Sequence, residues 1–300
     1  MLSYIVGFIA FLLFLYNPLV ELLAPGHPKI QRTPRPQINE DLLAIQNPNE
    51  TRAACPPDSY LVRVYSREPL VLYVENFLSS SEREHLLQIR LEPPCPTLEC
   101  RSRVGSNPIF EPSTITHDGG DSAHRDAAVR DSEVAVVPRT DTVRCIEARA
   151  RALQGWRNEV WIERLRVQRY KPQGHYDHHF DWSSNRGGWG RVSSFIAWVD
   201  DGDGQLRGGG TEFPLLRFNE DPEWCAYIDC ATSSLTMQGE VESEKPKPVV
   251  FKPLPGNAVY WENFRSDGSG RGYRETWHAG LPVQSGLKIG LNIWSWGWIE

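Results

Sequence analysis

From about residue 164 to the end of the chain, short apolar runs alternate with turn clusters: LRVQRY, RVSSFIAWV, TEFPLL, PVVFKPL, NAVYW and LKIGLNIWSW. Runs of this length and spacing predict antiparallel strands in a sandwich or barrel of jelly-roll type. Ahead of them LVRVYSREPLVLYVENF carries strand-type alternation, and Ser79-Ser80-Ser81-Glu82 supplies capping chemistry for a helix through SEREHLLQIRLE. A second amphipathic helix is expected over about 140–156, where Val143, Ile146, Ala150 and Leu153 share one face. The expected fold is therefore mainly β with flanking helices. A strand-and-helix part at 59–163 precedes a jelly-roll core at 164–300, the two helices are available to cover one sheet face, and a polar insertion occupies about 217–248.

The pattern at the start of the chain is different. Residues 2–16 (LSYIVGFIAFLLFLY) hold no charge, and apolar character resumes after Asn17-Pro18 with only Glu21 interrupting. The uninterrupted part reaches ~24 Å as a helix, short of a ~30 Å hydrocarbon core, so Leu19–Ala24 would have to complete a span. Residues 1–24 read as a signal-anchor, with a cleaved signal peptide as the rival; Leu22, Ala24 and Pro25 make a poor small-x-small cleavage site. Residues 25–58, rich in Pro and polar side chains, read as a linker to the folded body.

Lys29, Arg32 and Arg35 after the segment favour a cytoplasmic C-terminal side. The sequon Asn49-Glu50-Thr51 and six cysteines favour the lumen, and together point to a secretory-pathway or endoplasmic reticulum membrane protein with a lumenal body, or a secreted one. Cys95–Cys100 and Cys225–Cys230 share a four-residue gap and are expected as disulfides. Composition adds an exclusion: 38 acidic against 32 basic residues leave a net charge of -6, which argues against nucleic acid as a partner.

The candidate chemistry lies in Arg169-Tyr-Lys-Pro-Gln-Gly-His-Tyr-Asp-His-His-Phe-Asp181. Residues i and i+2 of a strand project from one face, so His179 and Asp181 can present an imidazole and a carboxylate to one ion while Phe180 packs on the other side. His278, about 100 residues on, could complete a two-His, one-carboxylate face of the kind that holds Fe(II) and leaves open positions for substrates and oxygen. Lys288 begins a run in which Ile289, Leu291 and Ile293 alternate with Gly290, Asn292 and Trp294. With the second set it points into the barrel, where a buried cation calls for an anionic cosubstrate.

Residues from about Pro69 to Trp298 resemble the prolyl 4-hydroxylase branch of the Fe(II)- and 2-oxoglutarate-dependent dioxygenases. The resemblance rests on PLVLYVENFLSSSEREHLL, Arg130-Asp131-Ser132, YKPQGHYDHHFD, GGGTEFP, FKPLPGNAVYW and HAGLPVQSGLK, in that order. It implies a double-stranded β-helix core and the cofactors Fe(2+), 2-oxoglutarate and O2, with ascorbate as reductant. It also implies iron ligation by His179, Asp181 and His278, a grip on the distal carboxylate of 2-oxoglutarate by Lys288, and further hydroxyl contacts from Tyr170 and Thr211. The implied activity is hydroxylation of prolyl residues in a peptide or protein, with release of succinate and CO2. Two other readings keep parts of this: the same chemistry on another side chain, a free amino acid or a small metabolite, and a catalytically silent jelly-roll binding module. Gln173-Gly174 inverts the family's usual Gly-Gln, and Asn257 replaces a common Asp.

Overall fold

Residues 70–75 (LVLYVE) show why the long strands read as unbroken apolar runs: Leu72 and Val74 are buried on one face, Val71 and Tyr73 on the other. The computed structural model describes residues 30–45, 53–91, 110–116, 123–183, 187–202, 204–230 and 247–299, with Phe8, Phe11, Leu12 and Thr51. Most of the expected membrane segment, the sequon's Asn49, Cys95, Cys100 and residues 231–246 of the expected insertion lie outside the described residues. Among those described, no helix is long and apolar enough to cross a membrane.

The elements are β1 (Leu61–Arg67), β2 (Leu70–Glu75), α1 (Ser80–Leu91), β3 (Glu111–Pro112), β4 (Ile115–Thr116), β5 (Ala123–His124), β6 (Arg130–Asp131), β7 (Glu133–Val136) and α2 (Asp141–Leu153). Then follow β8 (Val160–Ile162), β9 (Arg166–Tyr170), β10 (His175–His179), β11 (Trp189–Asp200), β12 (Arg207–Gly208), β13 (Thr211–Phe213), β14 (Val249–Phe251), β15 (Ala258–Glu262), β16 (His278–Gly280), β17 (Val283–Ser285) and β18 (Lys288–Trp298). The major sheet runs β1-β2-β15-β11-β18-β9-β7-β3, with β8 also on β18, and the minor sheet runs β14-β13-β16-β10-β6. All the pairings are antiparallel, as the alternation of short strands and turns implied.

Two cores sandwich the major sheet. On its outer face Leu72, Phe195, Ala197, Leu291 and Ile293 meet Leu86 of α1 and Val143, Ile146 and Ala150 of α2. On its inner face Tyr73, Ile196, Trp198 and Trp261 meet Phe213 and Phe251 of the minor sheet. The helices thus cover one face, and the barrel interior lies on the other.

The helices start where capping chemistry places them. The Ser79 hydroxyl accepts from the Glu82 amide at 3.2 Å, and the Ser79 amide donates to Glu82 Oε2 at 2.8 Å, a reciprocal capping box. Arg149 of α2 donates to both carboxylate oxygens of Glu82 at 2.8 and 2.9 Å and to the Phe77 carbonyl at 2.7 Å, tying the two helices together in a buried ion pair.

Cys225–Cys230 is bonded as the spacing suggested, and Cys55–Cys145 is a second disulfide that no local spacing announces. The 90-residue separation of Cys55 and Cys145 implies ~4–5 kcal/mol of loop-closure stabilisation, against ~2 kcal/mol for the five-residue separation of the other bond. Replacing Cys55 and Cys145 by Ser is therefore expected to lower the denaturant midpoint far more than replacing Cys225 and Cys230. Equal midpoint shifts in urea melts would contradict this.

Candidate active site

The register between β10 and β16 brings the separated candidates together: His179, the last residue of β10, is paired with His278, the first of β16. Asp181 follows two residues later, with its Oδ1 3.7 Å from His179 Nε2 and its Oδ2 3.9 Å from His278 Nε2. The three ligand atoms all lie within 4.8 Å of one another, and among the described residues this is the one His/Cys/Asp/Glu group that could hold a metal ion. Phe180 packs away from the group, against Trp182 and Trp277.

Each imidazole has its outer nitrogen committed. His179 Nδ1 lies 2.8 Å from the Asp177 carbonyl and His278 Nδ1 2.9 Å from that of Thr276. A carbonyl can only accept, so both rings donate from Nδ1 and keep an Nε2 lone pair for the ion. Burial, joined by the neighbouring His278, brings His179 down to about 3, and burial likewise lowers His278, so both are neutral ligands at physiological pH. Burial opposes charge on Asp181, but His278, His179 and Arg191 outweigh it and hold its carboxyl down at about 2.

Asp181 is aimed by two further groups that sequence reasoning did not single out for this task. Trp294 Nε1 donates to its Oδ2 at 2.9 Å, and Arg191 Nη1 donates to its carbonyl at 3.2 Å. Arg191 lies over the Trp294 ring, 4.0 Å from its centroid, and is held by Glu163 at 2.8 and 2.9 Å. The signal for Trp294 was present in the sequence, since it belongs to the inward set that starts at Lys288.

Behind the triad a small cavity of about 40 Å³, partly open to solvent, is lined by Gln168, Tyr170, Thr211, Trp261 and Lys288 as well as the three candidate ligands. Lys288 pairs in register with Tyr170 on β9, and Thr211 with Gly280 on β16, so the barrel's two sheets supply opposite walls. Lys288 is 3 % exposed, and among the described residues it has no ion pair or hydrogen bond. Burial alone lowers it from 10.5 to about 8, a cost of about 3 kcal/mol to the empty protein at neutral pH. The Gln168 amide and the Trp261 indole also line the cavity and have Nε2 and Nε1 donors without a partner among the described residues. An unpaired ammonium and two orphaned donors make the cavity a receptor for an anion.

Tyr170 lines this cavity too, but its hydroxyl donates to Gln168 Oε1 at 2.6 Å. Gln168 itself lines the cavity and its Nε2 has no partner among the described residues; sequence reasoning missed it although it stands two residues before Tyr170 on the same strand face. Arg130, of the Arg-Asp-Ser element, lies 4.4 Å from the Tyr176 ring centroid, and Tyr176 stacks on His179 at 3.6 Å. Of the other aromatic residues near the motifs, Trp198 is entirely in the core.

The inverted Gln173-Gly174 has a steric reason. A Cβ on Gly174 would sit 2.8 Å from the Lys171 carbonyl oxygen and 2.9 Å from that of Asp131, so glycine is required there although its φ is ordinary. Gln173 takes the left-handed turn position itself, with φ 71°.

Residues 165–296, the segment that carries the triad and Lys288, match the 2OG-Fe(II) oxygenase superfamily. That match takes in the strands from β9 to β18 and leaves the part before residue 165 outside it. A curated relative, prolyl 4-hydroxylase 5 of Arabidopsis thaliana, is 26% identical over 242 residues, spanning 78% of this chain and 70% of its own. Among solved structures, a viral collagen prolyl hydroxylase from Paramecium bursaria Chlorella virus-1 in a 2OG complex is 20% identical with TM-score 0.48, over 76% of this chain and 96% of that one. A Trichoplax adhaerens prolyl hydroxylase in complex with a hypoxia inducible factor peptide fragment is 14% identical with TM-score 0.46, over 76% and 83% of the two chains. The donor set of the cavity suits Fe(2+) and 2-oxoglutarate: two neutral imidazoles and a carboxylate for the ion, and a buried ammonium for a dicarboxylate. The convergence of the three side chains is also what a silent binding module would not require.

Trp294→Phe deletes the N–H that aims Asp181 together with part of a buried ring that Arg191 and Arg166 lie over. The expected result is an Fe(II) affinity lower by ~10–100-fold, read by metal titration of the purified protein at a temperature well below its lowered melting point. Unchanged affinity would show that Asp181 needs no such partner.

Proposed function

We propose that the oxygenase hydroxylates prolyl residues in peptide or protein substrates, with His179, Asp181 and His278 holding Fe(II) and Lys288 holding the distal carboxylate of 2-oxoglutarate. The single observation that carries the reading is the joint placement of a convergent His/Asp/His set and a buried, unpaired ammonium in one cavity. The prolyl acceptor is supported by the relative's name and by the motif series from Pro69 to Trp298.

With 2-oxoglutarate and O2, the iron supplies the oxidising chemistry: the cosubstrate loses CO2 to give succinate, and one oxygen atom enters a substrate C–H bond. The chain's own residues bind, orient and exclude water. Asp177 and Thr276 carbonyls fix the imidazole tautomers, and Trp294 and Arg191 fix the carboxylate. Lys288 draws a dicarboxylate into the cavity in one direction, and the Gln168 amide, held by Tyr170, adds a neutral donor. Thr211 is buried on the opposite wall and offers a hydroxyl. Phe213 and Trp261, 5.4 and 4.9 Å from the His278 ring, close the inner side against water. Preorganised groups in such a dry site act more strongly than in solution.

The two disulfides within the domain support an oxidising, secretory-pathway location for the folded body. Succinate formation stimulated by proline-containing peptides, with mass spectrometry placing +16 Da on proline, tests the activity. Stimulation by free amino acids or by proline-free peptides alone would move the acceptor to another class.

A further inference from the structure

Beyond the metal centre, the inner face of the major sheet does not end at Trp294. Strand β18 stays regular, so Trp296 and Trp298 continue the same face, and register pairs Trp296 with Arg191 and Trp161, and Trp298 with Trp189. The rings contact one another: Trp189–Trp296 at 5.4 Å, Trp189–Trp298 at 5.5 Å and Trp161–Trp296 at 6.1 Å between centroids. The result is a ledge of four tryptophans reaching about 13 Å from Trp294. Its inner end is Arg191, which touches Asp181.

One segment of the chain is seated on this ledge. Residues 30–36 (IQRTPRP) hold an irregular, extended course: the Ile30 amide donates to the Gly268 carbonyl at 2.8 Å, and Trp189 Nε1 donates to the Thr33 carbonyl at 3.2 Å. The Arg35 guanidinium lies 4.4 Å from the Trp161 centroid and that of Arg32 5.4 Å from the Trp298 centroid, while Arg32 also pairs with Glu159. Proline fixes its own φ and biases the residue before it to extended backbone, so Pro34 and Pro36 hold Thr33 and Arg35 open. Such a backbone repeats every three residues, which puts Arg32 and Arg35 on one edge, toward the tryptophans. Pro34 and Pro36 themselves face solvent. Gly188 makes the close approach possible: a Cβ there would lie 2.4 Å from the Trp298 ring and 2.9 Å from Ile30.

We propose that the ledge is a docking surface for extended, proline-containing peptides with two arginines three residues apart, and that residues 30–36 are its intramolecular occupant, which a substrate segment of the same chemistry displaces. The chemistry that selects the occupant is on the ledge: indole faces for guanidinium groups, an indole N–H for a backbone carbonyl, and the Glu159 carboxylate for the first arginine. The chain's own segment leaves the ledge toward β8, where the Ala44 amide donates to the Ile162 carbonyl at 2.7 Å, while the ledge itself continues along β18 to Trp294 and Asp181. The inference rests on the reading of the oxygenase as acting on peptides, and it names where a remote part of such a peptide binds.

The test measures binding without turnover, in metal-free full-length protein, using a fluorescein-labelled synthetic peptide of residues 30–38 and anisotropy. A tethered competitor at millimolar effective concentration masks the ledge, so Arg32→Ala/Arg35→Ala protein is expected to bind the peptide at least about tenfold more tightly than the unmodified chain. The same peptide with both arginines replaced by alanine is expected to lose that binding, as is the double variant carrying Trp161→Leu. Equal affinity of the two proteins for the peptide, or equal affinity of the two peptides for the variant, would overturn the proposal. Correct binding behaviour in a protein that hydroxylates no proline supports the ledge while sinking the prolyl acceptor, so the two failures are separable.

Discussion

Asp181→Ala is expected to abolish measurable 2-oxoglutarate turnover and to weaken Fe(II) binding by more than about 100-fold. Changing a partner that only orients a ligand costs ~10–100-fold, and this substitution removes the ligand itself and its charge. What remains are two neutral imidazoles, His179 and His278, whose Nε2 atoms alone face the vacated position. The empty protein is expected to lose some stability as well, because a carboxyl held at about 2 stabilises the fold at neutral pH and its loss leaves Trp294 Nε1 without its acceptor. Metal titration followed by succinate assay checks both halves. An Asp181→Ala protein that binds Fe(II) within tenfold of the parent would contradict the assignment, and His179→Ala should behave as severely.

Lys288→Met separates binding from stability in opposite directions. Loss of a buried, charge-paired partner for the cosubstrate carboxylate corresponds to ~2–5 kcal/mol, so the KM for 2-oxoglutarate is expected to rise by roughly 30-fold to 5,000-fold. The empty protein, in contrast, is expected to gain up to about 3 kcal/mol, because the unpaired ammonium that the fold now buries is gone. A thermal melt without ligand and a cosubstrate titration read the two effects.

The same group sets a pH dependence. Its folded pKa of about 8 lies below its ordinary 10.5, so the unfolded chain binds more protons between these values, and the stability of the empty protein rises with pH across that window. Cosubstrate binding runs the other way, since it needs the ammonium charged: affinity is expected to hold below about pH 8 and to fall above it. A Lys288→Met protein that keeps both its KM and its pH profile would remove Lys288 from the site.

The general plan of the fold was readable because its causes are local. Turn clusters between apolar runs mark antiparallel strands, and the Ser79–Glu82 pattern and the Val143/Ile146/Ala150 spacing mark the helices. The i, i+2 rule was enough to separate Lys288, Asn292 and Trp294 from Ile289, Leu291 and Ile293, and the structure sends the first set inward and the second against the helices. What stayed hidden depends on pairing between distant segments. Cys55 and Cys145 are 90 residues apart, Trp294 reaches Asp181 across 113, and Arg191 is fixed by Glu163, 28 residues earlier and just past the end of β8. The site partner Gln168 was overlooked for another reason: next to a tyrosine of obvious chemistry, an amide two residues earlier carries no pattern of its own. Residues 30–45, within the stretch expected to be a linker, lie along the domain because cation–π contacts and a few backbone hydrogen bonds hold them, features that composition does not register.

The most direct test of the account is a crystal structure of the oxygenase with Mn(II) and N-oxalylglycine, a non-reacting analogue of 2-oxoglutarate. The account predicts one anomalous peak bonded to His179 Nε2, Asp181 and His278 Nε2, and a distal carboxylate on Lys288 with the Gln168 amide in reach. Metal bound without His278, or an analogue lying with its distal carboxylate away from Lys288, would contradict it.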